Sequence, residues 1–327
     1  MCSSDLSLYD YRTDRLPQSK YSFRLYFRGE YGQGRLEWPL FPGTTVESFD
    51  SIILRAGMND HSNPFLKDEL VRRLTASLGQ PASHGSFVHL FLNGVYRGYY
   101  NPTERIDDEF LRTAHGDAER WDLVAQKGEV QEGDGTAWAE LLTLAETRPA
   151  LDRASHLEFA RRMDLTNFVD YLLPNIYADT DDWPHNNWRA ARKAAPEGLW
   201  RFYSWDAEWS FGQPNGHNPS FNTINKQLTS LNPPSGTTEI QRIFNALKEG
   251  REFQMLFSDR VHRAFFNGGP LEDARIRALY EETKALLQPG LTVTNFNDTL
   301  ISNWINGRRS HVLTHLGLAG FNRSTNA

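Results

Sequence analysis

The sequence predicts an α+β protein in two lobes, a small antiparallel β-rich lobe holding one helix and a larger, mainly helical one. Three observations carry that prediction. Residues 20–57 and 86–104 show the apolar and aromatic runs of strands, residues 64–79 between them carry a helical stripe, and beyond about residue 138 the apolar positions recur at helical spacing.

In the strand region, KYSFRLYFRG sets Phe23, Leu25 and Phe27 against Ser22, Arg24, Tyr26 and Arg28, and SFDSIILRAG follows a Pro/Gly turn. The helix reads PFLKDELVRRLTASLG. Pro64 suits its first turn, Asn63 a cap and Gly79 a stop, with Phe65, Leu66, Leu70, Leu74 and Leu78 on one stripe. In SFVHLFLNGVYRGYYNPTE, Asn93-Gly94 is the tight turn of a hairpin. The composition turns polar and helical after Pro102, which places a boundary near Glu104 and divides the chain into 1–104 and 105–327. A Gly-rich acidic run, KGEVQEGDGTA (127–137), reads as a flexible loop.

The second part is dominated by MDLTNFVDYLLPNIYAD, where Leu165, Phe168, Val169, Leu172, Leu173 and Ile176 make a wide apolar face. Asp164 or Thr166 can cap its start, and Pro174 implies a kink. NNWRAARKAAPEGLWRFYSWDAEWSFG then reads as a hairpin whose second strand ends at Asp206. Segments 239–266, 271–287 and 297–317 read as amphipathic helices around a Pro/Asn/Ser-rich loop at 218–237, and no internal repeat is present.

Composition bounds the function. The 327 residues are 39% hydrophobic, with no apolar run near the ~20 residues of a membrane span. A net charge of -6 and scattered basic residues argue against a nucleic-acid or anionic-membrane partner. Cys2 is the only cysteine, which excludes internal disulfides and thiolate metal clusters. Most of the nine Trp sit in apolar patterns and read as core. The polar, ragged start predicts a fragment whose export signal and first strand lie upstream.

The chemistry concentrates in DTDDWPHNNW, residues 179–188. Asp179, Asp181 and Asp182 repel one another at the wrong end of a helix dipole, so capping explains them poorly and a cation or proton is called for. Asp182 stands five residues before Asn187, and Asp206 follows nineteen residues later in WDAEWSFG. Protein-kinase-like folds use this order: a catalytic-loop Asp orients the hydroxyl, an Asn five positions on binds the metal, and an Asp after a short hairpin completes a Mg²⁺ or Mn²⁺ site. Asp181, five residues before Asn186, is a rival register, and His185 reads as a structural hydrogen-bonding residue. Glu69 on the helix can pair with a strand cation that touches the ATP phosphates, for which Lys20 and Arg55 are the candidates. Glu104, at the boundary, can orient the hinge backbone that binds adenine. A glycoside hydrolase pairing Asp182 with Asp206 or Glu208 is a second reading, and a non-catalytic kinase-like binding module a third.

Taken together, KYSFRLYF, LRAGMND before a helix, LNGVYRGYYNPTERID, DWPHNNW and WDAEWSFG resemble the successive motifs of the spore-coat CotH kinase family over roughly residues 18–315. The resemblance implies an atypical, extracytoplasmic protein kinase that uses ATP and a divalent metal to phosphorylate Ser or Thr of secreted or coat proteins. It implies Asp182 as catalytic Asp and Asp206 as metal Asp; Asn187 follows from the spacing. Two departures are visible: MCSSDLSLYDYRTDRLPQ lacks the glycines family members carry there, and Glu208 stands where the family more often has Asp.

Overall fold

The computed structural model describes residues 21–57, 65–116, 120–230, 237–287 and 298–321. Lys20, Asn63 and Pro64 lie outside them. The chain is α+β, with antiparallel sheets. It begins with β1 (Phe23–Tyr26), β2 (Leu36–Glu37), β3 (Ser48–Phe49), β4 (Ser51–Arg55), α1 (Lys67–Ser77), β5 (Val88–Leu92) and β6 (Val95–Thr103). There follow α2 (Asp108–His115), β7 (Trp121–Ala125), β8 (Glu129–Glu132), α3 (Thr136–Thr147), α4 (Arg153–Ala160) and α5 (Leu165–Ala178). The hairpin β9 (Trp188–Lys193) and β10 (Arg201–Ser204) leads to α6 (Glu239–Leu247), α7 (Arg251–Phe265), α8 (Asp273–Leu287) and α9 (Asp298–Leu318).

The first four-stranded sheet has the order β1-β4-β6-β5. Its β5–β6 turn is the expected Asn93-Gly94, both residues at positive φ as a two-residue hairpin requires. Alternation works as the sequence implies: Phe23, Leu25 and Phe27 pack against a small core of Phe41, Phe49, Ile52, Leu54 and Tyr100. The opposite face therefore carries Arg24, which is paired with Ile53, and Arg55, two residues further along β4. That face supplies cations to the candidate site.

The second sheet, β10-β9-β7-β8, corrects one expectation. Residues 129–132 of the acidic Gly-rich run are not loop but strand β8, paired with β7. Strand β7, all five of whose residues are buried, supplies the partner edge that lets a polar segment extend. In the β9–β10 register Trp188 faces Ser204, so Asn187 and Asp206 emerge from the same end of the hairpin.

Helix α5 is the central rod, with every residue but Thr166 buried. Asp164 caps it, accepting from the Asn167 amide at 2.9 Å, and it runs unbroken through Pro174. Several of its buried polar groups are well paired: Asn167 accepts from the Phe202 amide at 2.6 Å, and Asp170 takes both prongs of Arg260 at 2.7 and 2.8 Å. Around it lie α1, α7, α9 and β10, and Leu70 and Leu74 of α1, with its capping residues Leu66 and Leu78, join this main core. Six of the nine Trp are buried, as read from the sequence.

Two helical expectations are refined. Segment 239–266 is two helices, because the backbone at Gly250 comes so close to the Ala150 carbonyl that a Cβ would lie 2.0 Å from it. The 218–237 stretch is not all loop, since Ile224–Thr229 forms a π-helical turn.

Arg308 of α9 closes the structure around α5. Fully buried, it donates to the carbonyls of Ile176, Tyr177, Pro219 and Phe221 and to the Thr223 hydroxyl, at 2.6 to 2.9 Å. Two of those carbonyls are orphans of the α5 C-terminus, where a cation also meets the negative end of the dipole. Arg308→Leu would strand them, and chemical denaturation should show a loss of about 3–5 kcal/mol; a change under about 1 kcal/mol would mean that water replaces the guanidinium.

Candidate active site

The crowded acids of residues 179–182 are separated by giving each its own donors. Asp179 is the C-cap of α5 in the left-handed conformation, and its buried carboxylate is held by His217 Nδ1 at 2.8 Å and the Thr223 hydroxyl at 2.7 Å. Asp181 is gripped by Lys226 and accepts from Asn215 Nδ2 at 2.7 Å. Asp182 alone is turned to the Asn pair: Asn186 Nδ2 donates to one oxygen at 3.1 Å and Asn187 Nδ2 to the other at 3.4 Å. His185 Nε2 lies 2.8 Å from the same carboxylate, in the hydrogen-bonding role read from the sequence. That His185 contact, against the opposing effect of burial, holds the Asp182 carboxyl below its ordinary range.

Spacing leaves Asp181 and Asp182 as alternatives, and the two differ in their contacts. Asp181 is committed to a lysine, whereas Asp182 is half-buried and shares its oxygens with Asn187 across the five-residue step. Asn187 itself has φ of 62°, the left-handed region that Asn tolerates.

The second loop, WDAEW, is bound to the first. The Asp181 amide donates to the Trp209 carbonyl at 2.8 Å, which ties the segment after Asp206 to the residue before Asp182. Asp206 also adopts positive φ, at 59°. One of its oxygens, Oδ1, is in close contact with Arg55 Nη2; among the described residues no donor reaches Oδ2.

Arg55 is the hub. Its guanidinium touches Asp206, lies 2.8 Å from Glu208 and 3.2 Å from Asp68, and stands 5.2 Å from the Trp205 ring centroid. Burial alone would weaken its hold on a proton, but Asp206, Asp68 and Glu208 outweigh it and raise the pKa well above the usual value. Asp68 is likewise depressed: burial opposes ionisation, and Arg55, Arg72 and the Ala207 amide at 2.8 Å reverse that.

Here the expected pairing needs correction. Glu69 does not meet Arg55; it is held by Arg72 at 2.8 Å and Arg73 at 2.6 Å, three and four residues on along its own helix. Asp68 takes the strand cation instead. Glu69 has two local cations at helical spacing and Asp68 one, so the i,i+3 and i,i+4 rule was the signal that separates them. Glu104 turns its carboxylate to His84, accepting from its amide at 2.8 Å and meeting Nδ1 at 2.6 Å, so it braces the end of β6 against the preceding segment. Glu208 is buried and lies 2.8 Å from Arg55, with which Asp206 also pairs from its more exposed position.

The hydrolase reading loses part of its aromatic platform: Trp183 and Trp188 are inaccessible, and Glu208 lies buried in an ion pair.

Among the described residues no three His, Cys, Asp or Glu side chains form a protein-only metal cage. Asp206 Oδ2 and the Asn187 carboxamide oxygen are hard oxygen donors of the kind that suits Mg²⁺, which binds few protein oxygens and retains water or phosphate for the rest.

The CotH kinase protein family model matches residues 14–309, most of the chain, and the chain belongs to the CotH kinase family. No curated protein is significantly similar to it.

Removing the hub has a signed consequence. Arg55→Met leaves Asp68 and Glu208 buried without their shared cation and should cost about 3–5 kcal/mol at pH 7. In the wild type the depressed Asp68 stabilises above its unfolded pKa of ~3.9, and that contribution disappears as pH falls through the lower folded value. In the variant both carboxyls lose this cation and their folded pKa values rise, so its deficit should shrink between pH 7 and 5 when unfolding is followed across pH. A deficit independent of pH would show that packing, not charge, is what Arg55 provides.

Proposed function

We propose that the chain is an ATP-dependent phosphotransferase with a two-lobed, protein-kinase-like arrangement divided near Glu104, transferring the γ-phosphoryl group to Ser or Thr hydroxyls of extracytoplasmic or coat proteins. The observation that supports this most is the hub: one strand guanidinium joins a helix acid, Asp68, to Asp206, the acid that follows the hairpin. Kinases require a strand cation, a helix acid and a metal acid in one connected set. Family membership supports the same class of reaction.

Asp206 and Asn187 would hold Mg²⁺ or Mn²⁺, which neutralises charge on the phosphates when bound. Asn187 can do so because its Nδ2 is directed to Asp182, which leaves the carboxamide oxygen for a cation. Asp182 receives the acceptor hydroxyl. Because His185, Asn186 and Asn187 hold it ionised with a depressed pKa, it is a weak base and a good orienter. A loose phosphoryl-transfer transition state asks for little more, since the hydroxyl gives up its proton late.

Incubation with labelled ATP, Mn²⁺ and a Ser-rich acceptor should show transfer that falls by about 10²–10⁴-fold in Asp182→Ala. Loss should be at least as large in Asp206→Ala; transfer undiminished in both would sink the assignment. His185→Ala should retain activity but move the acid limb of kcat/KM to higher pH, because the donor that depresses Asp182 is gone. An unmoved limb would mean that His185 does not set the charge state of Asp182.

A further inference from the structure

This reading leaves three guanidiniums unused, Arg189, Arg24 and Arg105, and the first of them lies beside Trp205 and within electrostatic reach of Asp206 and of the other two. Arg189 of β9 lies 5.5 Å from the Trp205 ring centroid, on the indole that Arg55 also approaches. Its Nη1 donates to Gln126 Oε1 at 3.1 Å and to the Trp188 carbonyl at 2.9 Å, both neutral. Among the described residues no carboxylate is within ion-pairing distance of it. Arg24 shares the sheet face of Arg55 and donates to the Tyr26 hydroxyl at 2.6 Å, again with no carboxylate partner among the described residues. Arg105, two residues beyond β6, comes only to 3.7 Å of Asp107.

These groups come from three elements and sense one another. Arg105 and Arg24 are the cations whose repulsion reaches Arg189, and Glu129 and Asp206 the carboxylates whose attraction does. Half-buried like charges, two of them without a carboxylate partner among the described residues and the third with only a long one, are incompletely compensated, and an anion would supply the balance. Guanidinium is the side chain best shaped for phosphate, offering parallel N–H donors to two oxygens. The position matters as much as the charge. Arg189 stands on the strand that starts directly after Asn187, and Trp205 directly precedes Asp206, so an anion held here lies beside the candidate metal ligands.

We propose that Arg24, Arg105 and Arg189 form a triphosphate-binding site, with Arg189 and Arg24 contacting the phosphate oxygens next to Asp206 and Arg105 adding charge at the margin. The assignment of the anion as a nucleotide tail rests on the phosphotransferase reading; the cation cluster itself requires only a polyanionic phosphate. Side-chain donors here do the work that backbone amides do in glycine-rich phosphate loops.

Calorimetric titration separates the two ideas. Inorganic tripolyphosphate in EDTA should bind the wild-type chain, and Arg189→Gln and Arg24→Gln should each weaken it by roughly tenfold or more. Mn²⁺ titrated alone should bind both variants as it binds the wild type, and unchanged melting without ligand shows that they fold. Arg24→Gln, on an edge strand, keeps the test valid if the more buried variant melts early. Wild-type-like tripolyphosphate affinity in both variants, or no binding by the wild type, would overturn the site. If Mn²⁺-ATP binds and is consumed while the arginine variants behave as wild type, this site fails and the phosphotransferase reading stands. Arginine-dependent tripolyphosphate binding without phosphoryl transfer under any condition would leave the site intact and remove the reading it serves.

Discussion

One guanidinium ties the candidate site together. Arg55 leaves the first sheet, passes Trp205 and reaches Asp68 on α1 and Asp206 and Glu208 beyond β10, so three elements distant in sequence share a single buried charge. Asp68 completes the tie by accepting the Ala207 amide, which fixes the backbone immediately after Asp206. A charge so placed is weak evidence of net stability, because desolvation offsets much of the attraction. What it enforces is geometry: the sheet, the helix and the segment of Asp206 and Glu208 cannot move apart without stranding ions in the interior.

The loop that carries Asp182 is positioned by a different device. Helix α5 is buried nearly throughout and ends at Asp179, where Arg308 satisfies its last carbonyls and His217 and Thr223 satisfy the acid. The loop that follows therefore starts from a rigid point. Asp179 and Asp181 anchor it, and Asp182 is the acid of this run left to the Asn pair. The Asp181 amide then joins it to the Trp209 carbonyl, so the two loops that carry Asp182 and Asp206 are held by the core and by each other. Preorganisation of this kind is what electrostatic catalysis requires.

Local patterns made much of this legible. The Asn93-Gly94 hairpin, the α1 stripe and the apolar face of α5 were readable because turn chemistry and helical period are properties of adjacent residues. The spacing from Asp182 to Asn187 and the strand-end Asp206 were readable for the same reason. Strand β8 was not, because its polar sequence extends only through pairing with buried β7. The preference of Arg55 for Asp68 over Glu69 was half-visible, in the extra cation that Glu69 finds on its own helix. Arg24 and Arg189 offered no signal at all, being one charge each on strands that meet only after folding.

The claim most exposed to test is that Asp206 joins a metal to a nucleotide. Thermal melting with saturating ATP, with and without Mn²⁺, on the wild type and Asp206→Asn, addresses it directly. The account predicts a rise of a few degrees for the wild type that needs Mn²⁺, as expected when a ligand at about a hundredfold its Kd binds only the native state, and its loss in the variant. The same rise without metal, or in Asp206→Asn, would contradict it.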